Sequence, residues 1–125
     1  SFKGCKSLEN IVLSTSLTEI PDCFLSGCQN LKEISIPKSV KIIGKNAISF
    51  CSALTQLILH FSLIKIKSEC FMGCDSLVKV VFPHSVTKIG KYAFQYCKSL
   101  EYVSLPSSMT EIAKGLFYEC KKYQK

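Results

Sequence analysis

The chain has no tryptophan and no arginine, and it has only nine acidic residues against sixteen lysines, a net charge of +7. Each shortage excludes something. Sequence-reading nucleic-acid proteins rely on the planar, bidentate arginine fork, whereas lysine is a point charge. A basic chain without arginine therefore argues against nucleic acid as partner, although the charge still suits acidic partners in general. No apolar run approaches the roughly 18 residues that cross a bilayer, so no membrane insertion is expected. The opening Ser1-Phe2-Lys3-Gly4-Cys5 lacks the basic segment and apolar core of a secretory signal. There is no Asn-x-Ser/Thr sequon.

Catalytic patterns are missing too. The chain contains no Gly-x-Gly-x-x-Gly, phosphate loop, His-Glu-x-x-His or Gly-x-Ser-x-Gly. Glu19, Glu69 and Glu111 fall in different columns of the repeat described below or in distant coils, so no carboxylate pair is indicated. An enzyme is not expected, and no cofactor is implied. What is present is apolar material, 47% of 125 residues, enough for the core of one domain and too much for a disordered segment.

That material is strictly periodic. Cysteines stand at 5, 28, 51, 74, 97 and 120, always 23 residues apart. Leu8, Leu31, Leu54, Leu77 and Leu100 keep the same step, with Tyr123 in the last slot. So do Ile11, Ile34, Leu57, Val80 and Val103, then Leu13, Ile36, Leu59, Phe82 and Leu105. Pro37, Pro83 and Pro106 follow this last column, with Ser14 and His60 as exceptions. A second half of the unit carries Leu17, Val40, Leu63, Val86 and Met109, then Ile20, Ile43, Ile66, Ile89 and Ile112. Phe2, Leu25, Ile48, Phe71, Phe94 and Phe117 precede each cysteine by three. No insertion breaks the register.

The columns have a physical reading. Leu-x-x-Ile-x-Ile alternates apolar and polar residues as a half-buried strand does, and proline, lacking a donor, ends it. Val-x-x-Ile forms a second, shorter extended or bent stretch. Gly44 and Gly90 mark a turn, and the segment before each cysteine reads as a helical or 3-10 turn with its phenylalanine inward. One unit cannot bury these side chains alone, but stacked units bury a continuous column. The expectation is an α/β repeat solenoid covering 1–125 in about five coils. Because the pattern opens mid-unit, the chain is expected to be a fragment of a longer array. Its uncapped ends at Phe2 and near Tyr123 suggest missing neighbours or end-to-end self-association.

The run from Leu77 to Cys97 (Leu77-Val78-Lys79-Val80-Val81-Phe82-Pro83-His84-Ser85-Val86-Thr87-Lys88-Ile89-Gly90-Lys91-Tyr92-Ala93-Phe94-Gln95-Tyr96-Cys97) resembles the repeat of BspA-like leucine-rich proteins. The resemblance extends over the whole chain. It implies a leucine-rich-repeat fold and, from the cell-surface members of that class, adhesion to host proteins or cells. The chain departs from the pattern at Pro21 and Phe24-Leu25, and again at His60 and Lys67, where local irregularity is expected.

Eight cysteines in a short chain ordinarily suggest disulfides, but this spacing points elsewhere. Equivalent residues on stacked strands lie about 4.8 Å apart, and a disulfide brings β-carbons to about 3.8 Å. The six in register are expected as buried free thiols acting as small apolar residues. Cys70 shares its slot with Ala47 and Ala93. Cys23 shares one with Asn46 and Tyr92 and is expected to be more exposed. Zinc is the alternative, yet Cys23-x₄-Cys28 and Cys70-x₃-Cys74 lie two coils apart, and His60 and His84 fall at strand edges. No metal is expected. Without a nearby histidine, a cysteine nucleophile is not supported either.

Alternation turns two columns of the long strand outward: Asn10, Glu33, Gln56, Lys79 and Tyr102, then Val12, Ser35, Ile58, Val81 and Ser104. Three apolar residues in the second column suggest a protein-binding face, although β-branched residues favour strands on either face. Lys41, Lys65 and Lys88, near Lys45 and Lys91, form a basic flank. Such a flank suits an acidic protein or a sulfated glycan, while its ordinary use is solubility. Two functions follow. One is a cell-surface or secreted adhesion module that binds host or matrix protein. The other is an intracellular scaffold for protein assembly, which suits free thiols and the lack of a signal.

Overall fold

The computed structural model describes residues 2–109 and 113–120; Glu111, Ile112 and Tyr123, named above, lie outside these. Among the described residues eight short strands run in chain order: β1 Glu19–Ile20, β2 Glu33–Ser35, β3 Ile42–Ile43, β4 Gln56–Ile58, β5 Lys65–Ile66, β6 Lys79–Val81, β7 Lys88–Ile89 and β8 Tyr102–Ser104. All pairings are parallel and join residues 23 apart, such as Ile20 with Ile43 and Val80 with Val103. The molecule is therefore a stack of coils, and the register read from the cysteines is the register of its strands.

The two strand sides differ from expectation in one respect. The shorter Val-x-x-Ile segment makes the unbroken side, a four-stranded sheet in the order β1-β3-β5-β7. The longer segment makes two separate pairs, β2 with β4 and β6 with β8. The irregular unit at Pro21 nonetheless pairs in register through β1.

The segment before each cysteine is a chain of turns, and no helix occurs among the described residues. Its hydrogen bonds explain why. Phe24, Ser26 and Cys28 donate their amides to carbonyls three residues back, at Pro21, Cys23 and Leu25. Cys23, Leu25 and Gly27, between them, donate instead to Lys45, Ala47 and Ser49 of the next coil. An α-helix needs successive amides bonded within the segment, and here every second one is used to join coils. The alternation requires left-handed backbone at two positions per coil, Cys23 at φ 58° and Gly27 at φ 79° in this one. Asn46, Glu69 and Tyr92 continue the first column, and Phe50 and Tyr96 the second. Left-handed backbone costs a side chain about 1 kcal/mol, offset here by the inter-coil bond that it permits. Cys23, which shares no residue type with its column, thus shares a conformation with it.

The interior is a set of stacked columns. Leu25 and Ile48 are fully buried, and Phe71 and Phe94 continue their column as stacked rings with centroids 5.4 Å apart. The repeat cysteines from Cys28 to Cys120 are buried, Cys5 and Cys23 are half-buried, and all eight thiols are free. They do more than fill space. Cys28 donates its thiol to the carbonyl oxygen of Phe2 at 3.0 Å, and Cys51 to Leu25 at 3.2 Å. Cys74 donates to Ile48 at 3.1 Å and Cys97 to Phe71 at 3.1 Å. Each thiol thus ties its coil to the preceding one.

At Gly44 the neighbouring coil comes close: a β-carbon there would lie 2.6 Å from the amide nitrogen of Asp22 and 2.7 Å from the carbonyl oxygen of Ile20. Gly90 stands in the same relation to Ser68. Pro21 and Lys67, in the same column, are each followed by a coil that has the glycine.

Two outcomes are expected. Gly44→Ala should destabilise the fold by ~2 kcal/mol, because backbone must move to admit the methyl group; urea denaturation measures it. Burial pushes the Cys51 thiol up to about 12 from its ordinary 9.0, and raises Cys74 as well. Unfolded, these thiols ionise near 9.0, so the unfolded state loses protons first. Stability should be full below about pH 9 and fall as pH rises towards 12, read as a declining melting temperature.

Candidate interaction surface

On the long-strand side the central residue of β2, β6 and β8 is buried and that of β4 half-buried, while the flanking residues turn outward. Ile34, Val80 and Val103 are buried, while Glu33, Ser35, Gln56, Ile58, Lys79, Val81 and Tyr102 are exposed and Ser104 is half-exposed. Val12, at the first coil, is 97% exposed, and Ile58, Val81 and Tyr102 are each about half exposed (49%, 52% and 52%). Strand pairing sets Glu33 beside Gln56 and Ser35 beside Ile58, and it sets Lys79 beside Tyr102 and Val81 beside Ser104. The Lys79 ammonium lies 5.8 Å from the centre of the Tyr102 ring. The ten outward residues read from alternation are thus all exposed or half-exposed, with a division in strand pairing between β4 and β6.

Among the described residues, no backbone hydrogen bond joins β4 to β6. Alternation along a strand shows which groups this leaves open. The Gln56 amide bonds Lys32 on the β2 side, so that of Leu57 points to β6. The Phe82 amide bonds Ser104 on the β8 side, so that of Val81 points to β4. A cleft of about 310 Å³ lies along the division, lined by Thr55, Gln56, Leu57, Ile58, Lys79 and Val81. Leu57 and Leu59, interior by column, are consequently only half-buried.

The division falls where the core filling changes. Phe82 stands in a column otherwise aliphatic at Leu13, Ile36, Leu59 and Leu105, and its ring meets Phe94 edge-on at 5.8 Å. The larger ring and the break between β4 and β6 meet at one coil boundary, while β6 and β8 pair in register at the next. Neither the division nor the exposure of Val78 (45%) beside it was read from sequence. The larger residue at Phe82, next to the irregular His60, was the available signal.

The basic flank is arranged differently from the sequence reading. Ile42, rather than Lys41, shares the column of Lys65 and Lys88. Lys45, Lys65, Lys88 and Lys91 line one cleft of about 460 Å³ together with Asp22, Ile66, Lys67, Ser68 and Gly90, and Lys41 is not part of that lining. Lys67, read only as a missing glycine, becomes its fifth lysine. The Asp22 carboxylate accepts the backbone amide of Lys45 at 2.8 Å. None of the five lysine side chains is in a salt bridge among the described residues.

On the turn side, the Tyr92 ring lies over Gly115, where a β-carbon would come within 2.2 Å of it. Tyr118 packs edge-on against Tyr92 at 6.4 Å and Tyr96 at 6.3 Å. These rings cover the turn backbone. Among the described residues no group of three or more His, Cys, Asp or Glu is placed to hold a metal ion, and no helix is long and apolar enough to cross a membrane.

The comparisons with known proteins concern the whole stack. The model of the BspA type leucine rich repeat region matches residues 1–124 in six copies. A leucine-rich repeat protein of Bacteroides ovatus superposes with a TM-score of 0.92 at 41% identity, covering 97% of this chain and 31% of that one. A leucine rich cell surface protein of Faecalibacterium prausnitzii gives 0.88 at 28% identity over 93% of this chain and 31% of its own. The pneumococcal vaccine antigen PcpA gives 0.69 at 31% identity, covering 78% of this chain and 24% of that one. The chain therefore spans about a third of the length of the first two. No curated protein matches it.

If the division is open in solution, the amides of Leu57, Lys79 and Val81 should exchange with deuterium well before those of Gln56 and Phe82, as NMR-detected exchange resolves. Equal protection across the two groups would show a continuous sheet.

Proposed function

The chain belongs to the BspA type leucine-rich repeat family, and from that premise we propose that it is the protein-binding part of a cell-surface or secreted adhesion protein. Repeat stacks offer extended, nearly rigid surfaces suited to macromolecular partners. Here the partner is a host or matrix protein, and the docking face is the long-strand side. One observation carries the reading: Ile58 and Val81, which expose about half their surface, line the cleft between β4 and β6. Apolar side chains grouped on a polar, lysine-rich surface are the usual mark of an interaction site. Glu33, Ser35, Gln56, Lys79, Tyr102 and Ser104 form its polar rim. The surface location draws support from the Faecalibacterium neighbour, described as a cell surface protein.

A second reading is an intracellular scaffold, favoured by eight free thiols, since reducing compartments keep thiols unpaired. Labelling of intact cells with an antibody to this chain separates the two readings.

The docking site has its own test. The double substitution Ile58→Asp and Val81→Asp places charge where apolar contact is needed and leaves the buried columns intact. Adhesion to matrix-coated surfaces should fall at least about tenfold, two such side chains each being worth more than ~1 kcal/mol at a binding centre. Unchanged adhesion by the folded variant would eliminate this face.

A further inference from the structure

The lysine cleft has a feature that solubility does not require. Lys65 and Lys88 are paired in register on adjacent strands β5 and β7, and parallel strands run about 4.8 Å apart. Like charges directly opposite on a sheet oppose its formation. Lysines serve solubility equally well on any exposed position, such as those of Lys38 and Lys98 elsewhere on the surface. Here the two are joined by Lys45, Lys67 and Lys91 around the same hollow. The five ammonium groups come from three successive coils, so they extend about 10 Å along the stack by strand spacing. Asp22 is the one carboxylate in the lining, and its oxygen already accepts the Lys45 amide. Five lysines therefore face a single carboxylate, an excess of four positive charges around a hollow of about 460 Å³.

We infer that this cleft is a second binding site, for a sulfated polysaccharide lying along the solenoid axis. The length of the charged strip calls for a polyanion rather than a single small anion. The lining decides which kind. Apart from lysine stems and Asp22 it offers Ser68, Gly90 and the fully buried Ile66, with no apolar anchor of the sort that peptide docking uses. A glycan sulfate needs none, being satisfied by flexible point charges and hydrogen-bond donors, which lysine supplies. The occupant also removes the repulsion between Lys65 and Lys88, so binding and folding stability are coupled. The site lies apart from the β4–β6 cleft and does not depend on the reading of that face.

The test uses heparin, chemically desulfated heparin, poly-glutamate and inorganic sulfate as probes. Wild-type protein should bind heparin with an affinity that falls steeply with salt, and heparin should raise its melting temperature. Lys65→Gln with Lys88→Gln should weaken binding roughly tenfold or more. Lys38→Gln with Lys98→Gln, which removes the same charge, should change it little. The Ile58→Asp and Val81→Asp variant should bind heparin as wild type does, which separates this site from the strand face. The inference is overturned if desulfated heparin binds as well, or if the Lys38 and Lys98 pair loses as much as the cleft pair. It is equally overturned if poly-glutamate binds as tightly as heparin, or if inorganic sulfate alone gives the same thermal shift.

Discussion

Everything in this molecule depends on the sharing of backbone hydrogen bonds between successive coils. A single coil of 23 residues has too little interior to bury its own apolar side chains and too few internal partners for its own amides. Each therefore completes its neighbour. The strands pair at a constant offset of 23, and the turn segments send every second amide to the next coil. The cysteine thiols repeat the same linkage from inside, each donating to the coil before it. With its buried side-chain polar atoms satisfied among the described residues, the stack has no polar reason to open.

This constraint also explains which positions tolerate variation. Gly44 and Gly90 are held by the closeness of backbone in the neighbouring coil. The left-handed turn positions accept cysteine, asparagine, glutamate, phenylalanine and tyrosine. There the inter-coil hydrogen bond outweighs a local conformational cost, and the side chain is free to differ. It is at such unconstrained outward positions that the chain acquires features of its own: a tyrosine-covered turn side, a lysine cleft and an apolar cleft.

Most of the fold was legible in the sequence because the period is unbroken. Seven columns in phase identify the interior, and the outward strand residues follow from alternation. The turn segment was not legible. A phenylalanine three residues before a cysteine suits a short helix as well as it suits linked turns, and only the destination of the amides separates the two. The lysine cleft was half legible: Lys65 and Lys88 share a column, but Lys67 joins their cleft from a slot read only as a missing glycine, and Lys41 falls one position out of their register.

The sequence by itself determined the repeat length, the register of the strands and the contents of the core, because a period of 23 without insertions admits one stacking. Only the tertiary structure decided where that stacking is interrupted. Phe82 keeps the apolar character its column demands, and it stands at the boundary where β4 and β6 part while β6 and β8 pair at the next. Pairing across a coil boundary depends on how close two backbones come after folding, which a pattern of polarity does not encode, and so the cleft that interrupts the outward face was visible only in the folded stack.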